Sequence, residues 1–336
     1  MDTLELKTTF AEITTREQQW AHAYRLWLDS KAHNTRRAYE RAWNDMLTHI
    51  NRDPWEITAS GIADWQKELR RRGIVETGVH QRLAAVSSFF SYTNRSYLVH
   101  DTDGREAPLH RYNPVHAIPR TRVSPYAHAT YLTPQAARKL LDAIKRDSLQ
   151  GQRDYALFLT YILTGRRNNE IIGLHWGDFK VEGERVFYRW SGKGKVEQRY
   201  ELPAVVWNAI LEYVLNSRPY ADLTPEAFIF IALNENGKRF APGRAQVGEE
   251  HGLSDRMVRS LLKKYARKAG LENWASLRVH DLRHTAAMLR KAAGDDIESI
   301  CAMLGHESVA VTQLYLHKLE GHADTSWQAA AALMGM

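Results

Sequence analysis

From Ser96 to His128 the helical periodicity that dominates the rest of this chain lapses. Pro108, Pro114, Pro119 and Pro125 punctuate the stretch, and its end, "PRTRVSP", is basic and extended. Proline fixes φ and lacks a backbone donor, so no helix runs through such spacing. The chain therefore reads as two bodies on a tether. The expected boundaries are a first helical body over 12–112, a linker over 113–130, a second body over 131–320 and a short tail over 321–336. A basic linker suits a phosphate backbone, and it equally suits a solvated tether.

Both bodies carry helical patterns. "REQQWAHAYRLWLDS" puts Trp20, Ala23, Tyr24, Trp27 and Leu28 on one stripe, more a core than a platform for stacking bases. "NTRRAYERAWNDMLTHI" follows, with Asn34 or Thr35 as the expected N-cap and Ala42, Trp43, Met46, Leu47 and Ile50 inward. "TASGIADWQKELRRRG" offers Thr58 or Ser60 as cap and Gly73 as terminator, and Val79, Leu83, Val86 and Phe90 continue the pattern. In the second body Thr133 caps a helix with Pro134 at its first position. "GQRDYALFLTYILTG" is an apolar helix ending at Gly165, "RVFYRW" and "QRYELP" flank "SGKGKVE" as a hairpin, and "AVVWNAILEYVL" is helical. "SDRMVRSLLKKYARKAG" sets Arg256, Arg259, Lys263, Lys264, Arg267 and Lys268 over an apolar stripe of Met257, Leu261, Leu262, Tyr265 and Ala269. The expected fold class is mainly α with a small β-sheet.

Composition narrows the partners. The 336 residues carry a formal net charge of +7, which suits a polyanion, most commonly nucleic acid. The single cysteine, Cys301, supplies neither a disulfide nor a thiolate zinc site, and its helical surroundings make it a small buried hydrophobe. No apolar leader opens the chain, and no run approaches the ~18 apolar residues of a membrane span. The expectation is a cytoplasmic protein with no membrane partner.

"HDLRHTAAM" (280–288) poses the chemical question. His280 and His284 stand at metal-clamp spacing, while His280 and Arg283 stand at phosphate-clamp spacing. A metal is disfavoured. Asp281 replaces the glutamate of a zincin helix, Arg283 would sit beside the cation, and no third ligand follows at short spacing. A phosphate site needs further parts, and the chain has them. Arg167 and Glu170 stand at i, i+3 after Thr164-Gly165, so the carboxylate can brace the guanidinium. Lys193 and Lys195 lie in a glycine-rich turn, His306 follows Gly305 at a helix boundary, and Tyr315 lies on a following helix.

This set resembles the tyrosine recombinase family, the phage integrases and the Xer-type and Cre-type recombinases. "TGRRNNEIIGLHWGDF" is similar to its TG-x-R-x-x-E box, "GKGK…RYELP" to its hairpin lysine, "LRVHDLRHT" to its H-x-L-R-H-T box and "MLGHESVAVTQLYLH" to its LGH…T-x-x-Y box. The resemblance implies a SAM-like helical core-binding domain ahead of a mostly helical catalytic domain, the two clamping duplex DNA. It implies transesterification: Tyr315 attacks a phosphodiester and keeps a 3′-phosphotyrosine. Arg167 and Arg283 neutralise the phosphate, His280 and His306 bond it or handle the tyrosine proton, and Lys193 or Lys195 protonates the leaving 5′-oxygen. Glu170 is a support. No metal and no nucleotide cofactor are needed. Four protomers would synapse two sites with inverted half-sites, from a monomer or dimer when free. Arg36, Arg37, Arg82, Arg120, Arg122, Arg256, Arg259 and Lys263 are the candidate DNA contacts.

The bland alternatives are that His284 and Thr285 are structural and that His317 bonds locally. Arg166 departs from the family's usual apolar residue, and spacing from Thr164-Gly165 and to Glu170 selects Arg167. The hairpin is longer than in many Xer-type proteins, which leaves the lysine register open. The segment before the first helix is too short for an arm-binding domain. The apolar tail "TSWQAAAALMGM" would dock on a neighbouring protomer or on its own domain. Two other functions fit the same chain: a recombinase-derived DNA-binding protein that no longer cuts, and a type IB topoisomerase-like relaxing enzyme.

Overall fold

The computed structural model describes residues 15–100, 105–121, 123, 129–191, 197–234, 252–306, 308–320 and 334. It divides into two compact units, Met1–Pro125 and Tyr126–Met336.

The first unit is a bundle of α1 (Arg16–Asp29), α2 (His33–Ile50), α3 (Ala59–Arg71) and α4 (Glu76–Arg95). A capping box starts α1: Thr15 Oγ1 accepts from Gln18 N, and Gln18 Oε1 accepts from Thr15 N, both at 3.2 Å. The cap of α2 differs from the expected one. Its N-cap is Ala32, with no side-chain bond, and Asn34 and Thr35 lie within the first turn. Thr58 caps α3 by accepting from Gly61 N. The tryptophan stripe faces inward onto α4. Phe89 meets Trp43, Trp27, Tyr24 and Trp20 at ring-centroid distances of 4.6, 5.1, 5.7 and 5.8 Å. Tilted and edge-on aromatic contacts of this kind fill the core.

The stretch that lacks helical periodicity is more ordered than its sequence suggests. β1 (Leu98–His100) pairs antiparallel with β2 (Glu106–Pro108). A 3₁₀ turn, Pro114–Ala117, follows, and Val115 and Ile118 bury into the same core as Trp20 and Phe89. Gln66 Nε2 donates to Pro119 O at 3.1 Å. The first residues expected to be linker thus pack on the first unit. Three-residue strands are too short to show alternation, and a proline-led turn hides its apolar pair from a helical count.

The second unit begins with α5 (Pro134–Asp142), whose cap Thr133 accepts from Ala136 N. α6 (Leu149–Thr164) is the central helix and packs chiefly against α8 (Ala204–Ser217) and α10 (Val279–Ala292). It is less apolar than it reads. Arg153 and Asp154 are both buried, paired at 2.7 Å, with Tyr265 donating to Asp154 and Arg153 donating to Ile231 O. After α6 come the short α7 (Asn168–Ile172) and a three-stranded antiparallel meander in the order β3 (Phe179–Glu182), β4 (Arg185–Ser191), β5 (Glu197–Leu202). β4 and β5 pair in a register that sets Tyr188 opposite Tyr200. β3 carried no sequence signal, because its side chains are exposed or half-buried.

α9 (Asp255–Lys268) starts at the Ser254 cap and buries Val258, Leu261, Leu262, Tyr265 and Ala266. Met257 and Ala269, expected on that stripe, are only partly buried at its edges. α11 (Ile297–Leu304) ends at Gly305 in the left-handed conformation, and α12 (Val309–Glu320) follows. Ala287, Ile300, Leu304, Tyr315 and Leu316 form a small second core that ties α10, α11 and α12 together.

Candidate active site

The site is built on the turn after α6. Gly165 caps that helix at φ +63°, and a Cβ there would lie 3.2 Å from Ala286 Cβ and 3.3 Å from Met303 Cε. Both the left-handed backbone and the close approach of α10 and α11 favour glycine. The carbonyl of Gly165 then accepts from Arg283 Nη1 at 2.8 Å, while Arg283 Nη2 donates to Leu304 O. Arg283 is only 3% exposed. Burial, and then the nearby Arg167, pull its pKa down to about 10, so it stays charged at neutral pH. An anion beside the two guanidinium groups would relieve that repulsion.

Arg167 sits at the N-cap of α7. Its Nη1 donates to Glu170 Oε1 at 2.9 Å, and Glu170 Oε2 accepts from the Arg167 backbone N–H at 2.9 Å. The Glu170 side chain is 7% exposed and that of Arg167 is 47% exposed. A buried carboxylate therefore braces a guanidinium that remains open to solvent. The two arginines are fixed differently, one by backbone carbonyls and one by a carboxylate.

Asp281 follows His280 in "HDLRH". It is fully buried, and it accepts from Arg278 N and from Arg278 Nη2, each at 2.8 Å. It is the helix-capping partner of Arg278 at the start of α10. His280 and His284 stack edge-on at 4.8 Å. Among the described residues no group of three or more His, Cys, Asp or Glu could hold a metal ion. Thr285 Oγ1 accepts from Leu132 N at 2.9 Å and donates to Asp281 O at 2.8 Å, tying the start of the unit to α10.

Tyr315 is 2% exposed, and its hydroxyl is hydrogen-bonded to His284 Nδ1. The His306 ring lies 5.6 Å from the Tyr315 ring, and His306 Nδ1 bonds Thr312 Oγ1 at 2.8 Å. Burial, then Arg283 and Arg167, pull His306 down to about 4. Burial, then His280, pulls His284 down to about 4. His280 is lowered too, by desolvation and then by Arg283. His284 and His306 are therefore neutral at pH 7.

Arg167, the pair His280 and Arg283, and the pair His306 and Tyr315 thus come from three separate sequence boxes, and Arg283 and His306 each lie within electrostatic reach of Arg167. Lys193 and Lys195 lie outside the described residues, as do Arg122 and nearly all of the tail. Of the other basic candidates, Arg37, Arg120 and Arg256 are exposed. Arg36 pairs with Asp29 at 2.9 Å, Arg82 donates to Gly78 O, Arg259 pairs with Asp255 at 3.3 Å, and Lys263 donates to Ala275 O. Two contributions are not evident from the sequence. His284 holds the Tyr315 hydroxyl, and Arg166 is buried against β4 and α11. The only signal for Arg166 is its place in a charged doublet.

Residues 130–322 match the model of the phage integrase family, and residues 21–96 match the phage integrase N-terminal SAM-like domain. The chain is 26% identical over 291 residues to tyrosine recombinase XerC of Thermodesulfovibrio yellowstonii, covering 84% of this chain and 85% of that one. It is 26% identical over 290 residues to tyrosine recombinase XerD of Listeria monocytogenes, covering 84% and 88%. In fold it is similar to XerH site-specific recombinase bound to palindromic difH substrate, at a TM-score of 0.65 and 18% identity over 95% of this chain and 84% of that one. A lambda integrase dimer bound to a COC′ core site gives a TM-score of 0.62 at 15% identity, over 91% and 97%.

Proposed function

This chain belongs to the phage integrase family and is a tyrosine recombinase, and on that premise we propose that it cuts and rejoins duplex DNA at specific sites with Tyr315 as nucleophile. The observation that carries this reading is the convergence of Arg167, Arg283 and the His306–Tyr315 pair, from three separate boxes, onto one locus. Tyr315 Oη forms a bond to the phosphorus, the P–O5′ bond breaks, and the 3′-phosphate stays on the tyrosine. The tyrosine proton passes to a neutral histidine. The leaving 5′-oxygen takes a proton from Lys193, or from Lys195 in the alternative register. A positioned acid is worth about 10²–10⁴ in rate. The 5′-hydroxyl of another strand reverses these steps, so the bond energy is conserved without a nucleotide.

Arg283 and Arg167 stabilise the charge on the non-bridging oxygens, each worth roughly 10²–10³ as a fixed donor. Arg283 needs no reorganisation, because Gly165 O and Leu304 O already set its rotamer. His306 presents its remaining nitrogen to the phosphate while Nδ1 is held by Thr312. A phosphodiester cannot reach a tyrosine this buried, so α12 must shift before attack, breaking the bond to His284. The DNA carries inverted half-sites and is synapsed by four protomers.

Trapping on nicked DNA tests this. DNA flanking the gene, nicked so that the cut fragment diffuses away, is incubated in EDTA with wild type and with Tyr315→Phe. A protein–DNA adduct in wild type that vanishes in the variant is expected. Binding without an adduct, on DNA that contains the site, would favour a DNA-binding protein that does not cut. Relaxation of a plasmid without a site would favour topoisomerase-like activity.

A further inference from the structure

We propose that Arg166 is a positioning residue that locks the β4–β5 strand pair to the end of α11. It thereby keeps the strands that lead to and from Lys193 and Lys195 aligned with the phosphate-binding arginines. The inference rests on the reading of the site given above. No catalytic role falls to Arg166 itself, because the spacing to Glu170 selects Arg167. Yet Arg166 is only 3% exposed. Nε donates to Tyr188 Oη on β4 at 3.0 Å, Nη2 donates to Met303 O on α11, and the carbon centre lies 4.5 Å above the Tyr200 ring on β5. A planar fork that also stacks makes these three contacts at once, and an ammonium group cannot.

The end of α11 shows what the lock holds. Three successive carbonyls at that end are each gripped from a different element. Ala302 O accepts from Tyr200 Oη, Met303 O from Arg166 and Leu304 O from Arg283. Cationic donors there also complement the negative end of the helix. The ties are unequal. Arg283 binds both Leu304 O and Gly165 O, so it holds α11 to the turn after α6 without help from Arg166. The strand pair, in contrast, loses its bond from Arg166 to Tyr188 and the stacking on Tyr200 when Arg166 is removed. Of these ties to α11 it keeps the bond from Tyr200 to Ala302 O. Loss of Arg166 should therefore leave the phosphate site standing and let the strands drift. A displacement near 1 Å is enough to slow a positioned group by about 10².

Replacing the scissile 5′-oxygen by sulfur isolates that effect. With oxygen, the P–O5′ bond breaks as Tyr315 attacks, and the oxygen must be protonated. With sulfur, the P–S bond breaks and a thiolate departs without a proton. The probes are two nicked duplexes of the sequence mapped from wild-type adducts, one with each leaving atom, at saturating protein. On oxygen, Arg166→Leu is expected to form adduct about 10²-fold more slowly than wild type, and on sulfur within about threefold of it. Tyr188→Phe, which removes one partner and keeps Arg166, should show the same pattern at about 10-fold, and it decides the matter alone if Arg166→Leu fails to fold. Equal slowing on both substrates, or no slowing on oxygen, would overturn the positioning role and leave the reading of the site intact. Wild-type adduct carried by a residue other than Tyr315 would overturn that reading, and this inference with it.

Discussion

The two units solve the packing problem in opposite ways. Among the described residues, the buried polar side chains of the first unit are Gln66, Thr93 and Asn113, none of them charged. Its interior is an aromatic cluster around Phe89, and its ion pairs, such as Arg70–Glu76 and Arg71–Glu68, stay on the surface. The second unit buries Arg153, Asp154, Arg166, Arg218, Asp281 and Arg283, together with His284. A buried charge persists only with partners that satisfy it, so each one constrains its neighbours. The first unit is thus held by shape, and the second by specific polar pairs that also orient the site.

That contrast breaks most visibly between two arginines. Arg283→Ala should slow adduct formation by roughly 10²–10³. It should also destabilise the second unit by about 1–3 kcal/mol, by orphaning Gly165 O and Leu304 O. Arg167→Ala should give the same loss of rate with a smaller stability loss, about 0.5–1 kcal/mol, because its own side chain is half exposed and the buried Glu170 carboxylate keeps its bond from the Arg167 backbone N–H. Rates on nicked DNA and denaturant melts of both variants check this. Equal stability losses would contradict the distinction. Phe89→Ala should remove about 3–5 kcal/mol from the first unit, measured by hydrogen exchange in its helices, with exchange in α6 and α10 unchanged.

Acid gives a third, smaller separation. His284 and His306 fall to about 4 in the folded protein, against an ordinary value near 6.5. Below about 6.5 the unfolded chain takes up protons that the folded one refuses, so the second unit loses stability as pH falls toward 4. Asp154, raised by burial, offsets part of that loss. In the first unit burial also lowers His22 and His110, by less than it lowers His284 and His306, and hydrogen bonds from Arg71 and Arg70 hold Glu68 and Glu76 low. The contribution of the two carboxylates is present above the ordinary carboxylate value and is lost only as pH falls below it. Exchange rates followed from pH 7 to pH 4.5 should therefore rise first in α10 and α12. The smallest effect is at the start of α1, where Thr15→Ala should cost about 1 kcal/mol by removing the capping box, seen in the first unit's melt alone.

The same contrast decides what is legible in the sequence. Helix stripes depend on local period, so spacing alone turns Trp20, Trp27, Val79 and Leu83 inward. The ends marked by Thr58, Ser254 and Gly165 are equally plain. What sequence spacing leaves open depends on partners far along the chain. Val115 finds its core near Trp20, and Arg153 finds Ile231 O. Arg166 finds Tyr188 and Met303, 22 and 137 residues away. Spacing to Glu170 singles out Arg167, but it cannot say which of the two arginines is buried. Nor can it show that His284 holds Tyr315, because that bond joins α10 to α12.

The most direct measurement is the identity of the residue that carries DNA. Wild-type adduct trapped on nicked DNA is digested with protease and nuclease, and the modified peptide is read by mass spectrometry. A nucleotide phosphate on Tyr315 is the expected result. The same mass on another tyrosine, Tyr161, Tyr188 or Tyr200 among them, would contradict the assignment of the site.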